Sequence, residues 1–148
     1  MSSAPDPDPA ARFAAAWEDF VLAIRRAQAR GQQSAEDLTL AQYYMLLPLT
    51  TEAALPVSRL AQYAGVAAPT ATRMIDSLER SVTVRRERTH DDRRTVLISL
   101  TPSGRELMAR KQQELARRRR ALYERLEPGE RESSERLLRH LAELMAGF

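Results

Sequence analysis

The chain contains no cysteine, which excludes disulfides, thiolate zinc sites and any switch based on thiol oxidation. Histidine is limited to His90 and His140, so metal catalysis has little to work with, and no metal or other cofactor is expected. There is no nucleophile paired with a base and no glycine loop that would cradle a phosphate. An enzyme is therefore the weakest functional class. No window of unbroken apolar residues is long enough to span a bilayer. Residues 1–9 (MSSAPDPDP) lack the basic and apolar regions of a signal peptide and form an expected disordered leader. These absences predict a cytoplasmic protein without membrane contact. Lysine is also nearly missing: Lys111 is the sole lysine among 23 basic residues.

What is present begins with arginine, whose planar guanidinium suits bidentate contact with phosphate and guanine edges. The formal net charge of +3 permits nucleic-acid binding without establishing it. Along the chain, Phe13, Trp17, Phe20, Val21 and Ile24 recur at helical spacing and form one apolar stripe. Thr39 with Gln42 has capping-box spacing and opens a helix carrying Leu40, Tyr43, Tyr44 and Leu47, which Pro48 should disturb or close. Two short helical patterns follow, split by Gly65, the second with Pro69 in its first turn. Val82-Thr83-Val84 and Thr95 to Leu100 read as two strands around a charged turn, RRERTHDDRR. Thr101-Pro102 combines a hydroxyl N-cap with proline at the first helical position and starts a long helix. Pro128-Gly129 breaks it, and Leu137, Leu138, Leu141, Leu144 and Met145 mark a last helix.

This order predicts a mainly α fold with a small β-hairpin wing (α+β), a winged helix-turn-helix flanked by N- and C-terminal dimerisation helices. Residues 10–148 read as a single domain. Within it, residues 38–101 form the DNA-binding lobe, and residues 10–30 and 102–148 form the dimerisation helices. The outer helices carry apolar stripes with little core of their own to cover, which a second subunit would bury.

At three places the chain resembles the MarR (multiple antibiotic resistance regulator) family: LAQYAGVAAPTATRMIDSLER for the two helices, DDRRTVLISLT for the wing, and TPSGREL opening the next helix. That resemblance implies a homodimeric transcriptional regulator, most simply a repressor, straddling a palindromic operator in double-stranded DNA. On it, Ala68, Thr70, Thr72 and Arg73 fall where the recognition helix faces the major groove. Ser58 sits where a helix start meets a phosphate. In the wing, Asp92-Arg93-Arg94 matches the family's D-x-R element, which implies that Arg94 enters the minor groove while Asp92 holds its guanidinium. Arg86, on the strand leading there, is a candidate phosphate neighbour. The resemblance also implies a small aromatic or phenolic effector, for which Arg12, Trp17, Tyr43 and Tyr44 are candidate contacts. A different class of function, a winged-helix protein-interaction module that no longer binds DNA specifically, would have no need of the DDRR tip. The arginine run Arg117 to Arg120 points all around a helix axis and suits intrahelical pairs with Glu114 and Glu124 rather than DNA. One departure stands out. The family usually places glycine after LER, in a left-handed turn, whereas this chain has Ser81, Val82 and Thr83, and a β-branched valine resists that conformation.

Overall fold

The computed structural model describes residues 8–31, 37–88 and 96–147, with the side chains of residues 28–31 outside the description. The expected leader thus lies largely outside the described residues, as does the wing tip, residues 89–95. The chain divides into two compact units, Met1–Met108 and Ala109–Phe148.

In the first unit, helix α1 (Pro9–Gly31) ends at the glycine that the sequence marks. Its stripe stays open in the single chain: Phe13, Phe20 and Ile24 are exposed, and Trp17 and Val21 are half-buried. Helix α2 (Leu40–Leu46) begins at Thr39, whose hydroxyl accepts from the Gln42 backbone N–H while the Gln42 side chain accepts from the Thr39 N–H. This is the capping box that the Thr-x-x-Gln spacing predicts. Pro48 then converts the chain to a 3-10 turn, Leu47–Thr50.

Strand β1 (Leu55–Pro56) leads into α3 (Val57–Ala64), and α4 (Ala68–Arg80) follows after Gly65. Strands β2 (Val84–Arg88) and β3 (Val96–Leu100) complete an antiparallel sheet in the order β1-β3-β2. The core lies beneath these elements. Leu38, Met45, Leu46, Leu60, Ala71, Ile75, Leu78, Val84, Ile98 and Leu100 are all buried there. Helix α4 contributes Ala71, Ile75 and Leu78 to it, three- and four-residue steps that place one stripe inward and leave the opposite face to solvent.

The expected hairpin needs two corrections. Val82 and Thr83 are not strand; β2 starts at Val84 and consists otherwise of the charged residues Arg85, Arg86, Glu87 and Arg88. Pairing with β3, in a register that sets Val84 opposite Leu100 and Arg88 opposite Val96, overrides the low strand propensity of these side chains. The sheet also gains β1, through Leu55 opposite Ile98. A two-residue strand carries no periodic signal of its own.

Helix α5 (Pro102–Arg125) begins in the first unit and continues into the second, which also holds α6 (Pro128–Ala146). Pro128 does more than break α5: it occupies the first turn of α6, behind a capping box formed by Glu127 and Glu130. Arg131 donates to the carbonyls of Tyr123 and Glu124 at the end of α5, satisfying acceptors that have no partner within the helix. Glu114 pairs with Arg118 and Arg120 with Glu124, each at four-residue spacing. No residue of α6 is buried, and Leu137, Leu138, Leu144 and Met145 are exposed. Among the described residues, no helix is long and apolar enough to cross a membrane.

Candidate nucleic-acid interface

Helices α3 and α4 form a helix-turn-helix whose two C-termini close by the same pair of backbone bonds. At the end of α3, Gly65 takes φ 63°, the Gly65 N–H donates to Gln62 and the Val66 N–H to Ala61. At the end of α4, the Val82 N–H donates to the Glu79 carbonyl at 2.9 Å and the Thr83 N–H to Leu78 at 2.8 Å. This is a Schellman motif, which requires a left-handed residue after the helix. Val82 supplies it with φ 56°, the only positive-φ non-glycine among the described residues. The departure from family habit therefore leaves the turn intact and places its cost in the backbone.

That cost is testable. A left-handed L-residue is disfavoured by roughly 1–2 kcal/mol, and glycine returns part of this through greater freedom when unfolded. Val82 is 62% exposed, so little burial is lost on its removal. Val82→Gly should raise unfolding stability by about 1 kcal/mol, read from the shift of a urea midpoint. A lower midpoint would show that the side chain earns its place despite the strain.

Hydroxyl groups fasten this turn to the start of α5. Thr101 Oγ1 donates to the Val82 carbonyl and accepts from the Gly104 N–H, and Ser103 Oγ donates to the same Val82 carbonyl at 3.0 Å. The Thr101 N–H donates to the Thr83 carbonyl at 3.1 Å. Ser81 Oγ, itself donating to Leu78, lies 2.9 Å from Thr83 Oγ1. The Thr-Pro signature foretells the helix start. That its cap also anchors the root of the wing is decided by residues 18 to 21 positions apart, beyond the reach of local pattern.

Above this anchor, Ala68, Thr70, Thr72 and Arg73 are all exposed on α4. The Thr72 hydroxyl donates back to the Ala68 carbonyl, which leaves its oxygen as an outward acceptor. Pro69, Ser77 and Arg80 share the exposed side of the helix; the 3.6-residue period, extended one turn further, identifies Ser77 and Arg80 beside Arg73. Ser58 is exposed in the first turn of α3. Arg86 is held between two acids of α4, with Nη2 at Asp76 and Nη1 at Glu79. Arg85 turns to the other face of β2, where its Nε reaches Glu87 and Ser99. Asp92, Arg93 and Arg94 lie outside the described residues.

The four candidate effector contacts are spread over two helices. Tyr43 is buried, with exposed Tyr44 meeting it edge-on at 5.3 Å between ring centroids. Trp17 stacks on Phe13 at 6.3 Å within α1, and Arg12 immediately precedes Phe13 on the same helix. Two clefts of about 360 Å³ are lined elsewhere, one by Glu132, Arg136 and His140 among others and one by Pro48, Leu55, Arg59 and Tyr63 among others. Among the described residues, no group of His, Asp and Glu could hold a metal ion.

An exposed helix face seated on a helix-turn-helix, beside a strand pair leading to a charged tip, defines a winged-helix DNA-binding protein. Residues 38–96 match the MarR family. Over 111 residues the chain is 30% identical to the uncharacterised HTH-type transcriptional regulator YhbI of Bacillus subtilis (strain 168), covering 75% of this chain and 72% of that protein. Among solved structures it is similar to the transcriptional repressor CouR bound to a 23-mer DNA duplex, with 29% identity, a TM-score of 0.67, and coverage of 83% of this chain and 89% of that one. It is also similar to a MepR-like protein complexed with pseudoligands, with 28% identity, a TM-score of 0.62, and coverage of 92% and 96%. The chain belongs to the MarR family: it is a DNA-binding transcriptional regulator, and not an enzyme.

Proposed function

We propose that this chain acts in the cytoplasm as a homodimeric repressor that recognises a palindromic operator and leaves it when a small aromatic or phenolic ligand binds. The observation that carries this reading is the two-sided character of α4. Its inner stripe is locked in the core, and its outer face presents small, hydroxyl and arginine side chains. Short residues let a helix sit deep in the major groove, hydroxyls reach phosphates or base edges, and Arg73 can fork onto a guanine. Ser58 would contribute a phosphate contact. The wing residues Asp92, Arg93 and Arg94 would add one in the minor groove. CouR, at 29% identity, was solved on DNA, which supports the same use of this lobe.

The dimer rests on the open apolar faces of α1 and α6. Phe13 and Phe20 on one and Leu137, Leu138, Leu144 and Met145 on the other are each more than half exposed in the single chain. Apolar area of this kind contributes roughly 25 cal/mol per Å² when a partner covers it. The effector reading is supported by the pseudoligand complex of the MepR-like relative, with the aromatic pairs Phe13–Trp17 on α1 and Tyr43–Tyr44 on α2 as separate candidate contacts. Ligand release then needs a higher affinity for the DNA-incompetent state.

The test is selection of a duplex from a random-sequence library, followed by fluorescence anisotropy across a salt series. The expected duplex is an inverted repeat bound by two chains, with affinity falling steeply as salt rises. Arg73→Ala should weaken binding by roughly 1–3 kcal/mol and relax preference at one position of each half-site. Equal binding to scrambled DNA, or one chain per duplex, would remove the proposal.

A further inference from the structure

Arg86 looks at first like another DNA-contacting arginine on the way to the wing, but its surroundings assign it different work. Strand alternation puts Val84, Arg86 and Arg88 on one face of β2, and Val84 is buried on that face. Arg86 is therefore directed at α4, where its Nη2 meets Asp76 at 2.5 Å and its Nη1 meets Glu79 at 2.9 Å. Asp76 and Glu79 stand three residues apart on the helix, close enough to repel each other. The three side chains are 31%, 41% and 40% exposed, so the cluster is half-screened from solvent. Both carboxylates belong to the helix that carries Arg73, and Asp76 lies one turn beyond it.

We infer that Arg86 is a positioning residue for DNA binding, acting through Asp76 and Glu79 and not through a phosphate. Its guanidinium pairs with both carboxylates of the groove-facing helix, cancelling one of their two negative charges, and fixes the angle between that helix and the wing strand. A planar fork suits this pairing with two carboxylates, and a lysine ammonium would not reproduce it. Without Arg86, the two carboxylates would repel each other and the wing strand would lose its tie to α4, so the helix would no longer be held at its set angle. This inference rests on the DNA-binding reading above.

The experiment is a charge-removal cycle on the full chain, using the duplex selected by the wild-type protein as probe. Arg86→Ala should bind roughly tenfold more weakly, within the range of coupled charged pairs. With Asp76→Asn and Glu79→Gln already in place, adding Arg86→Ala should cost less than about twofold, because nothing remains to neutralise. The salt slope of Arg86→Ala should equal that of wild type, and Arg86→Lys should recover only part of the loss. Thermal melts identify any variant that fails to fold, in which case Arg86→Gln replaces Arg86→Ala in the cycle. An equal loss in both backgrounds, with the slope lowered by about one, would mean a direct phosphate contact and overturn the inference. An unchanged affinity for Arg86→Ala would overturn it as well. A wild-type protein that selects no sequence takes down the DNA-binding reading and this inference together. Additive losses on a well-selected duplex take down only the inference.

Discussion

Gly104→Ala should unfold the root of the wing, lowering lobe stability by roughly 3 kcal/mol and the melting temperature by on the order of 10 °C. The reason is contact, not conformation. A Cβ built on Gly104 falls 1.9 Å from the Thr83 carbonyl oxygen and 2.9 Å from its carbon. The obstacle is backbone, and that carbonyl is already engaged by the Thr101 N–H. Relief requires either α5 or the Val82-Thr83 turn to move, and the turn is pinned from both sides. On one side are the Schellman bonds to Leu78 and Glu79; on the other are the Thr101 and Ser103 hydroxyls. Movement of either end shifts β2 relative to α4, so affinity for the selected duplex should fall together with stability. Calorimetry of the variant decides it: a melting temperature within a degree or two of wild type would mean that the first turn of α5 does not rest on Thr83.

The second large effect is expected at Ile75. This side chain is fully buried and lies at the middle of the inner stripe of α4, between Ala71 and Leu78. Removing its branched side chain leaves a cavity that a small lobe, already packed around Leu46, Leu60 and Ile98, fills poorly. Ile75→Ala should cost about 2–5 kcal/mol, measured by urea denaturation with an unchanged slope. Arg73, two positions earlier on the opposite face, provides the contrast. Its truncation should leave the urea midpoint within roughly 0.5 kcal/mol of wild type, as for other surface substitutions, while weakening DNA binding. One helix thus separates folding from recognition by face. A large stability loss at Arg73, or a small one at Ile75, would contradict that division.

The elements that announce themselves in the sequence do so through short-range chemistry. Thr39 and Gln42 form their capping box at three-residue spacing, Pro69 and Pro102 sit in first turns, and Gly31 and Gly65 close helices. The pairs Glu114–Arg118 and Arg120–Glu124 follow from four-residue spacing alone. The exposed face of α4 is legible for the same reason, since a 3.6-residue period fixes which side chains share a side. These features required only a chain that reads its own neighbours.

Tertiary structure decided the rest. The strand β2 is mostly charge, and only its partner β3 makes it a strand. Val82 holds a left-handed turn that its own branching opposes, because two hydrogen bonds to α4 and two hydroxyls from the start of α5 hold it there. Arg86 reads in sequence as one more arginine near a wing, and the sheet turns it onto Asp76 and Glu79. Local pattern determined where the helices lie and which face of α4 looks outward. The joint that aims the wing, and the sharing of charge across it, depend on groups seven to twenty-one residues apart, which only the folded chain brings within bonding distance.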